Sequence, residues 1–345
     1  MRKRHKRRRH ARSAVFAGLG LFALSQLLLA VAAETVCSEI RDPNYGARWR
    51  VLRARATEEP ARPPTIIFGS SRVETGVQPE AMRLGEGDPA VLNFGLTGAT
   101  PGRAWLAFRR MRDAGMRPDM VVIEVMPALF GEWLRADDAF VTGKLSARDL
   151  ADLSPYLWDP LAMWRQWLME RSVPIYSSRF VIMSRMAPRW LPIASRTDYL
   201  WTGLDRYGAA RLPDSLATPS ARRSGSLQAR NEYADRLRHF ALPPSSIGLL
   251  HRWIDECRGA GIPAALLLMP ESAEFQALYP PAARALLDDF LNRFQTETGV
   301  PVIDARDWLP ESAHYDGHHL LFADAKQFSA RLAVELQRIR ITAHR

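Results

Sequence analysis

Residues 66–76 read IIFGSSRVETG. A burst of β-branched and aromatic residues runs into Gly69, and two serines follow at once. A short, unbroken apolar run of this kind is the mark of a strand buried on both faces, as in a parallel sheet. The same form returns in AVLNFG (90–95), DMVVIEV (119–125), IPAALLLMP (262–270) and VPVIDA (300–305). Helical patterns separate these runs. Pro101 opens one with Trp105, Phe108 and Met111 on a single face and Gly115 just past its end. Ser245 or Ser246 is expected to cap another, carrying Leu249, Trp253 and Cys257 and ended by Gly259 and Gly261. Pro281 begins a third, and a last helix carries Phe328, Leu332 and Leu336. This alternation predicts an α/β fold with a doubly wound, five-stranded parallel sheet in three layers. The active site of such a sheet lies at the carboxyl ends of its strands, where Ser70 and Ser71 stand.

The 345-residue chain carries a formal charge of +10, but the first twelve residues, MRKRHKRRRHAR, hold eight Lys or Arg and no acid. The remainder is near neutral. A nucleic-acid surface spreads basic residues over a fold with aromatics between them, so nucleic acid is not an expected partner. The basic block instead precedes an uncharged run, Ser13–Ala33, about long enough to cross a ~30 Å hydrocarbon core. The expected topology is a cytoplasmic tail (1–12), a single transmembrane anchor (13–33) and everything later on the outer side, periplasmic or extracellular. The competing reading is a cleaved signal peptide, since Ala30-Val31-Ala32 has the small-x-small form that a signal peptidase accepts.

Residues 34–60 are charged and helix-capable and are expected to form a stalk. The α/β rhythm then occupies 61–135 and 244–345, and it breaks between them. The interval 136–243 holds Trp158, Trp164, Trp167, Trp190 and Trp201, several prolines and no clear strand, which predicts an inserted helical cap. Its aromatics are read first as packing, with a sugar-stacking wall or a membrane-facing skirt as alternatives. Its end, PDSLATPSARRSGSLQARN (213–231), is expected to be a mobile loop. The two cysteines, Cys37 and Cys257, cannot build a disulfide framework or a metal cluster. Thr35-Val36 before Cys37 does not suit a lipid-modified cysteine. Cys257 shares a helical face with Leu249, Leu250, Trp253 and Ile254, so a buried free thiol is expected.

An acyl-transferring serine needs a hydroxyl at a sharp strand-to-helix turn, a base, a group that orients the base, and N–H donors for the oxyanion. Gly69-Ser70-Ser71 can supply the first. In AHYDGHHLLFADAKQF, Asp316 and His319 stand three residues apart before the last helix, so both side chains can lie on one side of a turn. Asp316 could then hold the imidazole in the tautomer that accepts a serine proton. His314 and His318 compete for the role of base; His318 has no acid three residues before it, while His314 has Glu311 at that spacing. The loop is expected to be polar and solvated, so that substitutions at Asp316, His318 and His319 leave the fold intact. With no Cys nearby to complete a site, no metal and no other cofactor is expected.

Together these features resemble the SGNH/GDSL hydrolase superfamily over about residues 61–130 and 245–340. Gly69-Ser70-Ser71 sits where that family has Gly-Asp-Ser, which implies Ser71 as nucleophile. NFGLTGAT is similar to its second block and implies Gly98 as an oxyanion N–H donor, beside that of Ser71. Asp316-x-x-His319 is similar to the terminal block. The third block, Gly-x-Asn-Asp, is replaced by IEVMPALF, leaving about Ala128 where the oxyanion asparagine stands. Gly-Ser-Ser-Arg, the Met-Pro after the third strand and the N-terminal anchor resemble the membrane-tethered branch that includes alginate O-acetylation proteins and the D-alanyl transfer protein DltD. The resemblance implies an O-acyltransferase or esterase acting on an envelope glycan, beside a membrane-bound O-acyltransferase. The other reading is a degenerate domain of the same kind that binds glycan or scaffolds an acylation complex.

Overall fold

The structure, a computed structural model, describes residues 2–35, 38–59, 61–85, 87–130 and 142–343. Cys37 lies outside them, as does the expected junction between the first half-domain and the cap at 131–141. The five apolar runs become β1 (Thr65–Gly69), β2 (Val91–Gly95), β3 (Met120–Glu124), β4 (Ala264–Leu268) and β5 (Val302–Asp304). They form one all-parallel sheet in the order β2-β1-β3-β4-β5. The order reverses between β1 and β3, which leaves a crevice beyond the carboxyl end of β1.

The longer helices, in chain order, begin with α1 (Arg2–Thr35), α2 (Pro43–Glu58), α3 (Ser71–Gly76) and α4 (Pro101–Asp113). Next come α5 (Ala147–Leu153), α6 (Pro160–Arg171), α7 (Pro174–Met186) and α8 (Pro219–Arg238). The chain ends with α9 (Pro244–Gly259), α10 (Pro281–Thr298) and α11 (Phe322–Ala343). The chain forms two compact units. One comprises Met1–Gly46, Arg135–Ser154 and Asp159–Tyr199; the other comprises Ala47–Leu134, Pro155–Trp158 and Leu200–Arg345 and holds the whole sheet.

Both faces of the sheet are covered, because successive strand residues point to opposite sides. On one face Phe68 of β1 meets Phe94, Phe108 of α4 and Trp253 of α9, with ring centroids 5.3, 6.0 and 5.6 Å away. On the other, Ile67, Val122 and Leu267 pack with Phe328, Leu332 and Leu336 of α11. Within the sheetless unit, α1 contains His10–Thr35, a stretch whose most apolar eighteen residues have a mean hydropathy of 2.2 and which is long and apolar enough to cross a membrane. A signal sequence has the same features.

Three expectations are corrected. Residues 219–231, most of the expected mobile loop, belong to the twenty-residue helix α8. Thr218 caps it and Pro219 takes its first position, while Gly225, Ala229, Tyr233 and Leu237 recur every four residues as its buried face. Two of those four are too small to register as hydrophobic periodicity. Secondly, α9 is capped by Pro243 rather than by Ser245 or Ser246, and Ser246 is buried inside it. Finally, the expected stalk carries α2, whose Arg48 and Leu52 are each 1% exposed. From Ala47 onward this stretch belongs to the sheet unit.

Phe68 is the junction of four aromatic rings and is fully buried. Phe68→Ala should lower the unfolding free energy of the detergent-solubilised protein by about 3–5 kcal/mol. Denaturant titration followed by near-UV circular dichroism checks this, with a lower midpoint expected at unchanged slope.

Candidate active site

The strand stops at Gly69 for a steric reason. A Cβ there would collide with Val73 and with the Glu124 carboxylate. With Gly69 in place the chain turns sharply into α3, which Ser70 caps by accepting the Arg72 N–H at 3.2 Å. A six-residue helix has no stability of its own, so its far end also needs partners. Asn93 of β2 supplies them, donating from Nδ2 to the carbonyls of Val73 and Val77 at 2.7 Å each and of Glu74 at 3.2 Å. Its Oδ1 accepts the Gly95 N–H at 2.9 Å. Arg48 of α2 adds a 2.7 Å ion pair to Glu74. Ser71 is thereby fixed as the first residue of a short helix clamped at both ends.

Beneath it lies a buried charge network absent from the expected site. The Arg72 guanidinium reaches Glu271 at 3.0 Å, the Met269 carbonyl at 2.8 Å and Glu124 at 3.5 Å. The Tyr279 hydroxyl donates to the same Glu271 oxygen at 3.0 Å, and the Ser70 N–H donates to Glu124 at 2.5 Å. Burial works against the Arg72 charge, but Glu271 and Glu124 more than offset it and hold the group firmly protonated. Burial also pushes the Glu271 carboxyl up, against the pull of Arg72 and Tyr279. The sequence signal was an acid at the end of an apolar strand run, Glu124, and another directly after the Met269-Pro270 that closes β4.

The residues expected to act together do meet. Ser71 Oγ lies 2.8 Å from His319 Nε2, and His319 Nδ1 lies 2.8 Å from Asp316 Oδ2. The other Asp316 oxygen accepts the backbone N–H of His319 at 2.8 Å and of His318 at 3.2 Å. The turn that allows this depends on Gly317, at φ +90°, where a side chain would also press on Ser272 and Phe275 at 3.0 Å. Burial alone would lower the His319 pKa, but the charge and hydrogen bond of Asp316 outweigh it and raise the imidazole above its ordinary value. Burial likewise opposes ionisation of Asp316, yet His319 and the hydrogen bonds hold its carboxyl below the ordinary range. The arrangement can take a proton from Ser71 at Nε2 while Nδ1–H stays on the carboxylate.

The two competing histidines are buried elsewhere in the same loop. His314 is 1% exposed with Nδ1 3.2 Å from the Pro310 carbonyl, and burial lowers its pKa. His318 stacks on Phe275 at 4.8 Å and meets Tyr233 edge-on at 5.0 Å, and burial with its His319 neighbour keeps it neutral. The expected solvated loop is therefore a packed one: Asp316 and His318 are buried, because α8 lays Tyr233 over them and the turn at Ala273–Gln276 lays Phe275. Asp316, His318 and His319 bring ligand atoms within 4.8 Å of one another, a spacing that suits a metal ion. As placed, however, the Asp316 and His319 atoms are bonded to each other.

The loop after β2 starts beside the end of β1, where the Leu96 N–H donates to the Gly69 carbonyl at 2.8 Å. Gly98 sits in this loop at φ +64°, next to Thr97, whose hydroxyl donates to Glu74 at 2.6 Å. Ala128 lies in a helical turn, Pro127–Phe130, and is buried in an apolar cluster with Met126, Tyr233 and Phe275. Cys257 is free and buried, as expected; burial pushes its thiol up to about 12, so it is no nucleophile. It lines an apolar hollow of about 500 Å³ at the amino ends of β4 and β5, the end of the sheet opposite Ser71. The chain matches no protein-family model and no curated protein.

Arg72→Ala leaves two buried carboxylates without their cation and should cost about 3–5 kcal/mol of stability. His318→Ala removes a packed ring and should cost about 2–4 kcal/mol, against the intact fold that the sequence alone predicts. Denaturant titrations of both variants measure these losses, and a parental midpoint for Arg72→Ala contradicts the role given to the network.

Proposed function

We propose that this protein is a membrane-anchored, serine-dependent O-acyltransferase or esterase of the SGNH/GDSL kind, acting on acyl esters of a cell-envelope or exported polysaccharide. One observation carries the reading: Ser71, His319 and Asp316, drawn from opposite ends of the chain, join through two 2.8 Å contacts at the carboxyl edge of a parallel sheet. Loop composition alone gives no reason for two such contacts in series.

In this reading Ser71 Oγ attacks the acyl carbonyl as its proton passes to His319 Nε2, and Asp316 stabilises the resulting imidazolium. N–H groups of Ser71 and Gly98 receive the oxyanion. Collapse of the tetrahedral adduct breaks the ester bond, and the leaving alcohol takes the proton from His319. A sugar hydroxyl then gives its proton to His319 and attacks the acyl-serine; collapse breaks the acyl–Oγ bond, and Oγ takes the proton from His319, leaving free Ser71 and the new ester. With water in place of the sugar the outcome is hydrolysis. Ala128 offers no side-chain donor where the resembling family has asparagine. Loss of one such donor typically costs ~2.7–4 kcal/mol of transition-state stabilisation. A slow acyl-enzyme fits transfer to a polymer, fed by a membrane-bound O-acyltransferase, better than rapid turnover of soluble esters. The run Ser13–Ala33 supports an anchor in the cytoplasmic membrane, with the basic tail inside and the folded units outside.

Ala128 also favours a second reading, a degenerate domain that binds glycan or scaffolds an acylation complex. A fluorophosphonate probe separates the two. The folded protein should gain one adduct, mapped to Ser71, and lose it in Ser71→Ala and His319→Ala. Asp316→Asn should label more slowly by about four powers of ten, because the amide favours the wrong tautomer. Folded protein that gains no Ser71 adduct supports the scaffold.

A further inference from the structure

The sheetless unit carries a hairpin, α6 and α7, whose side chains mostly avoid any core. Met163 is the buried residue of α6, and Pro174 and Ser184 those of α7. Leu168, Met169, Val173, Ile175, Tyr176 and Phe180 are all exposed. Large apolar side chains exposed together on adjoining helices mark a surface that is covered by something other than water.

Its polar groups are bonded within the unit in a pattern that fixes its position along α1. Gln26 stands in the middle of the anchor, yet it is only 8% exposed, and its Oε1 accepts the Ile175 N–H at 3.1 Å. That N–H is one of the free amides at the start of α7. Further along, Arg171 pairs with Glu34 at 2.7 Å and Arg185 with Glu39 at 2.9 Å. Gln26 lies eight residues before Glu34, or about 12 Å deeper along the α1 axis at 1.5 Å per residue. Ile175 precedes Arg185 by ten residues, or about 15 Å of helix. α7 therefore runs alongside α1 in the same direction, starting well inside the apolar span and leaving it at the level of the acidic residues.

We infer that the α6–α7 hairpin is embedded in the outer leaflet of the bilayer against α1, so that the membrane contact is a two-part anchor with lipid as the occupant of its apolar faces. The inference rests on α1 remaining attached as a span, and it is independent of the acyl-transfer reading. In lipid every polar group needs an internal partner. Ser172 donates to the Met169 carbonyl at 2.7 Å, Ser177 to the Glu170 carbonyl, and Arg179 to the Tyr176 carbonyl, with its guanidinium 4.2 Å over the Phe180 ring. Arg185 sits where a long basic side chain reaches the headgroups, and Arg171, near the deep end of the hairpin, extends to pair with Glu34. Leu24, Leu27, Leu28 and Val31 of α1, the helix that α7 contacts, are likewise uncovered.

The test uses the full chain with Cys37→Ser, reconstituted in phosphatidylethanolamine–phosphatidylglycerol vesicles and checked for an uncleaved N-terminus by intact mass. Spin labels go on Tyr176→Cys, Phe180→Cys and, as an aqueous control, Asp255→Cys. Labels at 176 and 180 should collide several-fold more with oxygen than with a water-soluble nickel chelate, and the label at 255 should show the reverse. Nickel access at 176 and 180 places the hairpin in water and overturns the inference. Protection from both reagents also overturns it, since a protein partner or a second copy then covers the face. A chain cleaved before Cys37 removes the premise and leaves the acyl-transfer reading untouched.

Discussion

The buried guanidinium of Arg72 is the contact on which the site depends. It stands one residue after Ser71, in the turn after β1, and touches groups at the ends of two further strands: Glu124 at the end of β3, and Met269 and Glu271 after β4. A charge taken out of water at this depth is tolerable only when paired and hydrogen-bonded. Those partners exist only when all three strands are in register. The same carboxylate that faces Arg72 also holds the Ser70 N–H, so the geometry of the sheet edge is transmitted directly to the residue before Ser71. A hydrophobic substitute could fill the space but could not specify the direction in which the chain leaves β1.

Two further constraints complete the arrangement. Asn93 closes the carbonyl end of α3, and Gly317 lets the loop of Asp316 fold back onto its own backbone amides. Both are local and rigid, in keeping with a site that needs sub-ångström placement of Oγ against Nε2. Burial of His318 between Phe275 and Tyr233 fixes the same loop from behind. α8 thus serves as the lid of a packed polar cluster.

Much of this was legible in the chain. Each strand appeared as an apolar run bounded by Gly or Pro, and the spacing of Asp316 and His319 announced a shared turn. The features without a sequence signature lack one for physical reasons. α8 hides because its buried face begins Gly225–Ala229, a small-residue stripe that leaves no hydrophobic signature, and its Ser- and Arg-rich remainder has the composition of a loop. The Arg72 network hides because its members are 52 and 199 residues apart, and ion pairing across such distances has no local pattern. α2 reads as a stalk in the sequence because, beside Leu52, it buries the charged Arg48 against Glu74, and a buried arginine has the sequence signature of a solvated one.

The central claim is that His319 waits as a neutral base, with its Nδ1 proton on Asp316 and its Nε2 lone pair on Ser71. Nitrogen-15 NMR of the imidazole as a function of pH tests it most directly. His319 should be protonated on Nδ1 alone at high pH and should titrate with a midpoint above the ordinary value of 6.5, since Asp316 favours the cation. In Asp316→Asn that midpoint should fall. A neutral ring protonated on Nε2, or a parental midpoint below 6.5, contradicts the account.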